Sequence, residues 1–228
     1  MLVMRSLYRT VGSGGTRNIV LVCLSVLIMG ISYGLAANTA GVPLWGNILL
    51  AVLVLAGSSE FLFVAAVGAG VPPILAAATS ALVNTRHLVF GFTLAKILGK
   101  GGRRWIAAHL INDEAVALAI AEPTPERRRL LYWATGLGIL LVWPVGALLG
   151  GLLGGIVPDP RVLGIDAVLP AVLIAVAIPA LKERPAIAIA TLGTGLAIIL
   201  TPFVPAGIAP ILALTTVPLA MIRKRVQV

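Results

Sequence analysis

Residues 44–70 read LWGNILLAVLVLAGSSEFLFVAAVGAG, an apolar run long enough to cross a bilayer, for which about 20 residues suffice, but interrupted in its middle by Gly57-Ser58-Ser59-Glu60. A carboxylate at membrane depth costs roughly 3 kcal/mol on insertion scales, so by default it marks a transport path, a proton relay or a specific pairing. The pattern recurs further along the chain. Asn84-Thr85-Arg86-His87 lies inside the run Ile74 to Leu98, and His109 and Asn112-Asp113-Glu114 lie inside the shorter stretch Trp105 to Ala121.

The rest of the chain agrees with a membrane setting. Of its 228 residues 59% are hydrophobic and 11% charged, and the mean hydropathy is +1.07, more apolar surface than a water-soluble globule can hide. Further apolar runs are Ile19 to Asn38, Leu130 to Val157, Val162 to Leu181, Ala186 to Pro202 and Ala206 to Ile222, with prolines at the breaks. These predict an all-α polytopic membrane protein of about six to seven membrane segments, including broken or re-entrant helices. No short segments of alternating polarity suggest a β-barrel. The chain reads as a single transmembrane domain over residues 1–228, with a cytoplasmic N-terminal segment, 1–17, and a cytoplasmic tail, 223–228. The run from Ile19 exceeds a signal-peptide core, so it reads as a retained first helix.

The net charge of +9 comes from basic residues at the ends of apolar runs, which argues for cytoplasmic loops rather than a nucleic-acid surface. The clusters Arg5 to Arg17, Lys96 to Arg104, Arg127 to Arg129, Lys182 to Arg184 and Arg223 to Arg225 therefore belong on the cytoplasmic side of a cell membrane, with the N-terminus inside. Three full crossings before Lys96 would put that cluster outside. One of the runs Leu44 to Gly70 and Ile74 to Leu98 is thus expected to form a broken hairpin, and Trp105 to Ala121, between two basic clusters, to be re-entrant or interfacial, re-entrant being preferred.

Each polar cluster has a functional and a structural reading. Ser58 or Ser59 would cap a second half-helix with Glu60 in its first turn, and Glu60 would carry a proton, pair with a substrate ammonium or merely complete the cap. Arg86 needs a carboxylate, a helix carbonyl end or water: its partner is Glu60, Asp113 or a substrate carboxylate. Asn84 and His87 share a face if their helix continues, as do His109 and Asp113 in theirs. His87 titrates near neutrality when unperturbed, which suits a relay, although a hydrogen-bonded neutral histidine is commoner. Asp159 reads as a turn residue and Asp166 as a first-turn carboxylate. Gly146 to Gly155 reads as tight helix packing. Cys23 is the single cysteine and the histidines number 2, so no metal site or disulfide is expected; no nucleotide motif, nucleophile–base pair or cofactor signature appears, and an enzyme is not expected.

In order along the chain, Gly30-x-x-Tyr33-Gly34, Gly57-Ser58-x-x-Phe61, Asn84-x-Arg86-His87, Asp113-Glu114 and Pro158-Asp159-Pro160 followed by Gly164-x-Asp166 and Pro170 resemble the AzlC family, the large subunits of branched-chain amino acid exporters that include the BrnF-type proteins. The family pattern usually carries glutamine where this chain has Glu60. The resemblance implies export of branched-chain or similar hydrophobic amino acids across the bacterial inner membrane, driven by an ion gradient, expected to be the proton-motive force, together with a small membrane subunit of the AzlD or BrnE type. The residues then proposed for the substrate are Ser58, Ser59, Glu60, Asn84, Arg86, Asp113 and Glu114, with Glu60, His87 and Asp113 as proton-coupling candidates. The competing expectation is a non-transporting assembly or scaffold subunit whose polar clusters only hold helices together.

Overall fold

The computed structural model describes residues 2–156, 181, 184–204, 208–213 and 215–216. The expectations for Asp159, Asp166, the run Val162 to Leu181 except Leu181 itself, most of the run Ala206 to Ile222 and the tail 223–228 lie outside the described residues. Among the described residues the chain is helical throughout, without strands: α1 (Leu2–Thr39), α2 (Leu44–Leu53), α3 (Gly57–Gly68), α4 (Pro73–Asn84), α5 (Arg86–Thr93), α6 (Gly102–His109), α7 (Asp113–Ile120), α8 (Pro125–Ile156), α9 (Arg184–Leu200) and α10 (Ile208–Ala213). By length and composition, the segment Gly14–Thr39 of α1 and the whole of α8 are long and apolar enough to cross a membrane alone. The runs expected to cross between them are divided into shorter helices.

The frame is the pair α1 and α8. Their contact is built on glycines one turn apart, Gly30 and Gly34 on α1 and Gly146 and Gly150 on α8, which let the backbones approach as side chains would not. A Cβ on Gly146 would stand 2.6 Å from the Leu27 carbonyl oxygen, and one on Gly30 would stand 2.9 Å from the Trp143 carbonyl oxygen. The expected tight packing of the Gly146 to Gly155 stretch is therefore present, except at Gly155, whose Cβ position is open. Gly146→Leu is expected to cost about 3 kcal/mol through forced separation of the helices, and Gly155→Leu to be silent. Thermal melting of the solubilised protein compares them, and equal midpoints would remove this contact from the folding core.

The other elements lean on this pair. Helix α2 is tied to α8 by the buried Asn47, whose Nδ2 donates to the Ala147 carbonyl at 3.0 Å. Tyr132 of α8 donates its hydroxyl to the Ala107 carbonyl of α6 at 2.5 Å. Helix α3 packs on α1, and α4 folds back on α3 after a turn in which Gly70 takes the left-handed φ of 82°. Prolines begin α4 and α8, where a missing N–H costs nothing.

Three breaks position the polar clusters. The first, at Val54 to Ala56, splits the run 44–70; Leu55 there has a φ of 49°, unusual for a residue with a side chain. The second is a one-residue interruption at Thr85, so both runs weighed as the broken hairpin are interrupted. The third, at Leu110 to Asn112, ends α6 before α7 begins. This corrects one expectation: His109 and Asp113 do not share a helical face, because Asn112 is extended at φ −145°, ψ 166° between them.

Candidate functional site

At the first break the chain leaves α2 through Leu55 and re-enters helix at Gly57. Neither serine caps α3, contrary to expectation. Ser59 donates its hydroxyl to the Ala56 carbonyl at 2.8 Å, and Ser58 accepts from Arg86. Glu60 makes the cap: its Oε1 accepts the Ala56 N–H at 2.9 Å. A carboxylate reaching back to the amide at the cap position satisfies a donor that the helix cannot.

At the third break Asn112 does the equivalent work. It is buried, its Oδ1 accepts the Ala115 N–H at 2.8 Å, and its Nδ2 donates to the Leu110 carbonyl at 3.1 Å. Asp113 and Glu114 follow in the first turn of α7, where the helix dipole favours negative charge. The two breaks are tied together. His109, at the end of α6, places Nε2 2.8 Å from the Val52 carbonyl near the end of α2; since a carbonyl only accepts, that nitrogen carries the proton.

Arg86, the first residue of α5, straps the two restarted helices. Its Nη2 donates to Ser58 Oγ at 2.5 Å and pairs with Asp113 Oδ2 at 2.8 Å. Of the two protein carboxylates weighed for Arg86, it pairs with Asp113 and not Glu60. Beneath this strap lies a small cavity of about 50 Å³ into which both helix N-termini open, with Gly57 and Ser58 on one side and Asn112, Asp113 and Glu114 on the other. Its remaining wall is apolar: Val26 and Met29 from α1, and Ile139 and Trp143 from α8.

Trp143 is held from behind. Its indole N–H reaches both Glu60 oxygens, at 3.2 and 3.1 Å, and its ring stacks on Tyr33 with centroids 5.2 Å apart, while Phe61 meets Tyr33 edge-on. The Tyr33 hydroxyl faces the same carboxylate but falls short of hydrogen-bond geometry. Glu60 is 1% exposed and, among the described residues, has no ion-pair partner.

The structure thus gathers Ser58, Asp113 and Glu114 around one cavity, with Arg86 tying Ser58 to Asp113 beside it, and leaves Ser59, Glu60 and Asn84 out of it. Those three line a second cavity, of about 170 Å³, on the α4 side of α3. His87 lines neither. Its ring leans on Phe90 with centroids 6.0 Å apart, and its Nε2 has no hydrogen-bond partner among the described residues. Trp143, Met29, Ile139 and Asn47 are contributors that sequence reasoning passed over. Asn47 carried a readable signal, a polar residue in an apolar run, whereas an apolar wall residue looks like any other lipid-facing or packed side chain.

The comparison with known proteins fits this architecture. The profile of the AzlC protein family matches residues 21–157, which run from the apolar part of α1 to the end of α8 and include all three breaks. The chain belongs to the AzlC family. Within that family's curated proteins, a Bacillus subtilis relative described as a branched-chain amino acid transport protein AzlC is 28% identical over 163 residues, 69% of this chain and 63% of its own length. A Haemophilus influenzae relative, described as an uncharacterized membrane protein, is 28% identical over 136 residues, 58% of this chain and 56% of its own length. The chain therefore spans only about three fifths of the length of either relative. No solved structure matches it.

Proposed function

We propose that this AzlC-family chain is the large subunit of a secondary exporter of branched-chain or similarly hydrophobic amino acids in the bacterial inner membrane. It works with a small AzlD- or BrnE-type subunit and draws on the proton-motive force. The observation that carries the reading is the meeting of two half-helix N-termini, one arginine and two carboxylates over an apolar-walled cavity. A free amino acid presents the complementary set. Its carboxylate suits Arg86 and the helix N-termini, its ammonium suits Asp113 or Glu114, and its side chain suits Val26, Met29, Ile139 and Trp143. Because Arg86 and Asp113 already neutralise each other, a zwitterion enters by exchanging partners, carboxylate to Arg86 and ammonium to Asp113, and no charge is left alone in the apolar surroundings. The substrate class is also supported by the similarity to the Bacillus subtilis branched-chain amino acid transport protein. Export, proton drive and the small subunit rest on the family resemblance.

Counterflow of labelled leucine in proteoliposomes, with and without the small subunit, tests the reading. Saturable counterflow that unlabelled valine and isoleucine suppress is expected. The scaffold reading draws on the contacts of Arg86 with Asp113 and of Glu60 with Trp143, and it predicts no flux in either preparation.

In the membrane, residues 96–104 and 127–129 are placed on the cytoplasmic side. Single cysteines at Lys100 and Arg128 in a Cys23→Ser background are expected to resist an impermeant thiol reagent added to intact cells. Labelling of both reverses the orientation, and labelling of one makes Trp105 to Ala121 a full crossing.

A further inference from the structure

Glu60 lines one cavity and holds Trp143, which lines another. On its Trp143 side lies the small cavity under Arg86, and on its other side lies the larger one between α3 and α4, whose lining includes Ser59, Glu60, Ser80 and Asn84. We infer that this second cavity is a hydrated site through which the coupling proton reaches Glu60, separate from the place where the amino acid binds. The inference rests on the transport reading and adds to it the route of the ion.

Three observations carry it. First, two polar residues of the lining carry oxygens without partners among the described residues: Ser80, 8% exposed, has no hydrogen bond at Oγ, and Asn84 has none at Oδ1. Buried hydroxyl and amide oxygens are ordinarily satisfied, and where protein does not satisfy them a cavity roomy enough for water does. At about 170 Å³ this one has the room. Second, the carboxylate is buried without a counter-charge. The hydrogen bonds from Ala56 and Trp143 share its negative charge but do not neutralise it, and a buried carboxylate is otherwise matched by a cation or a proton. Among the described residues, the elements that touch α3 pair no cation with it: α1 offers Tyr33, α8 offers Trp143, α2 offers Leu50 and Val54, α4 offers Ser80 and Asn84, and α5 spends Arg86 on Ser58 and Asp113. Third, Ala77 and Ala81, the exposed small residues of the lining, leave the cavity a mouth of its own.

The step is simple. A hydronium in the cavity gives its proton to a Glu60 oxygen, leaving water and a neutral carboxyl; the reverse step releases it. Because Glu60 also holds Trp143, the wall of the amino acid cavity, the charge state of one cavity is felt in the other through a single side chain.

The test uses the whole complex in proteoliposomes with three readouts: leucine counterflow without a gradient, leucine efflux under an imposed pH gradient, and leucine-linked proton movement reported by an internal pH dye. Ala81→Leu fills the mouth and Ser80→Val removes the hydroxyl, and neither residue lines the amino acid cavity. Both variants are expected to keep counterflow while losing gradient-driven efflux and proton movement, with Ser80→Thr restoring them. Intact proton movement in Ala81→Leu and Ser80→Val overturns the inference. So does a wild type whose efflux follows a sodium gradient and ignores pH. Absence of counterflow in the wild type is a different failure, that of the transport reading itself, and the inference falls with it. If a variant fails to assemble, Ala81→Cys in a Cys23→Ser background decides by accessibility: an open, hydrated mouth reacts with a small water-soluble thiol reagent, and an unreactive cysteine overturns the inference.

Discussion

Arg86→Gln is expected to abolish leucine counterflow while the protein still inserts and assembles. The substitution removes the cation from a site that needs one, and it also leaves Asp113 facing an apolar cavity without a partner. Breaking a buried pair by removing one member costs 3–5 kcal/mol at the extreme; here the two side chains are 28% and 45% exposed, so solvent screening brings the structural share down to about 1 kcal/mol. That is too little to unfold the protein, and the loss of transport is assigned to the missing carboxylate partner. Arg86→Lys keeps the charge but not the reach to both Ser58 and Asp113, so partial transport is expected. The double variant Arg86→Gln with Asp113→Asn removes both charges and the unpaired carboxylate. It should recover the thermal stability of the wild type and remain without counterflow. Normal transport by the double variant would take the pair out of the substrate site, and loss of the protein from the membrane in Arg86→Gln alone would support the scaffold reading.

Replacement of Glu60 is expected to separate coupling from exchange. Glutamine keeps an acceptor: the Ala56 amide and the Trp143 indole both reach Oε1, so the cap and the wall of the cavity survive. What glutamine cannot do is bind and release a proton. Glu60→Gln should therefore retain leucine counterflow, which needs no net proton movement, and lose the response of efflux to a pH gradient. Glu60→Ala goes further. It leaves the Ala56 N–H and the Trp143 N–H without acceptors in a buried place, at about 1–3 kcal/mol each, and counterflow should fall with stability. The measurements are counterflow and efflux across roughly pH 5.5 to 8, the span around neutrality in which a group that loads and releases a proton at the working pH must act. Wild-type behaviour of Glu60→Gln in both assays would reduce Glu60 to a cap, consistent with the glutamine usual in the family pattern.

The helical class, the apolar runs and the positions of the polar clusters were all legible in the chain itself. Each rests on a local cost. A spanning helix must hide about 20 residues' worth of backbone from lipid, and an ionisable residue within such a run stands out against its neighbours. The glycines of Gly146 to Gly155 were readable for the same reason, since only close packing explains so many in one apolar helix. Partners were not legible. Arg86 meets Ser58 across 28 positions of chain, and Glu60 meets Trp143 across 83, so which of two nearby carboxylates an arginine takes depends on how α5 sits against α3 and α7. Helix continuity was not legible either. The spacing of His109 and Asp113 suits one face, but Asn112 spends its side chain on the backbone at both ends of the break, and the face disappears. The division of the polar residues between two cavities, with Glu60 lining one and holding Trp143, the wall of the other, belongs to tertiary structure alone: it is set by the rotation of α3 between α1, α4 and α8, which the order of residues along a single helix does not encode.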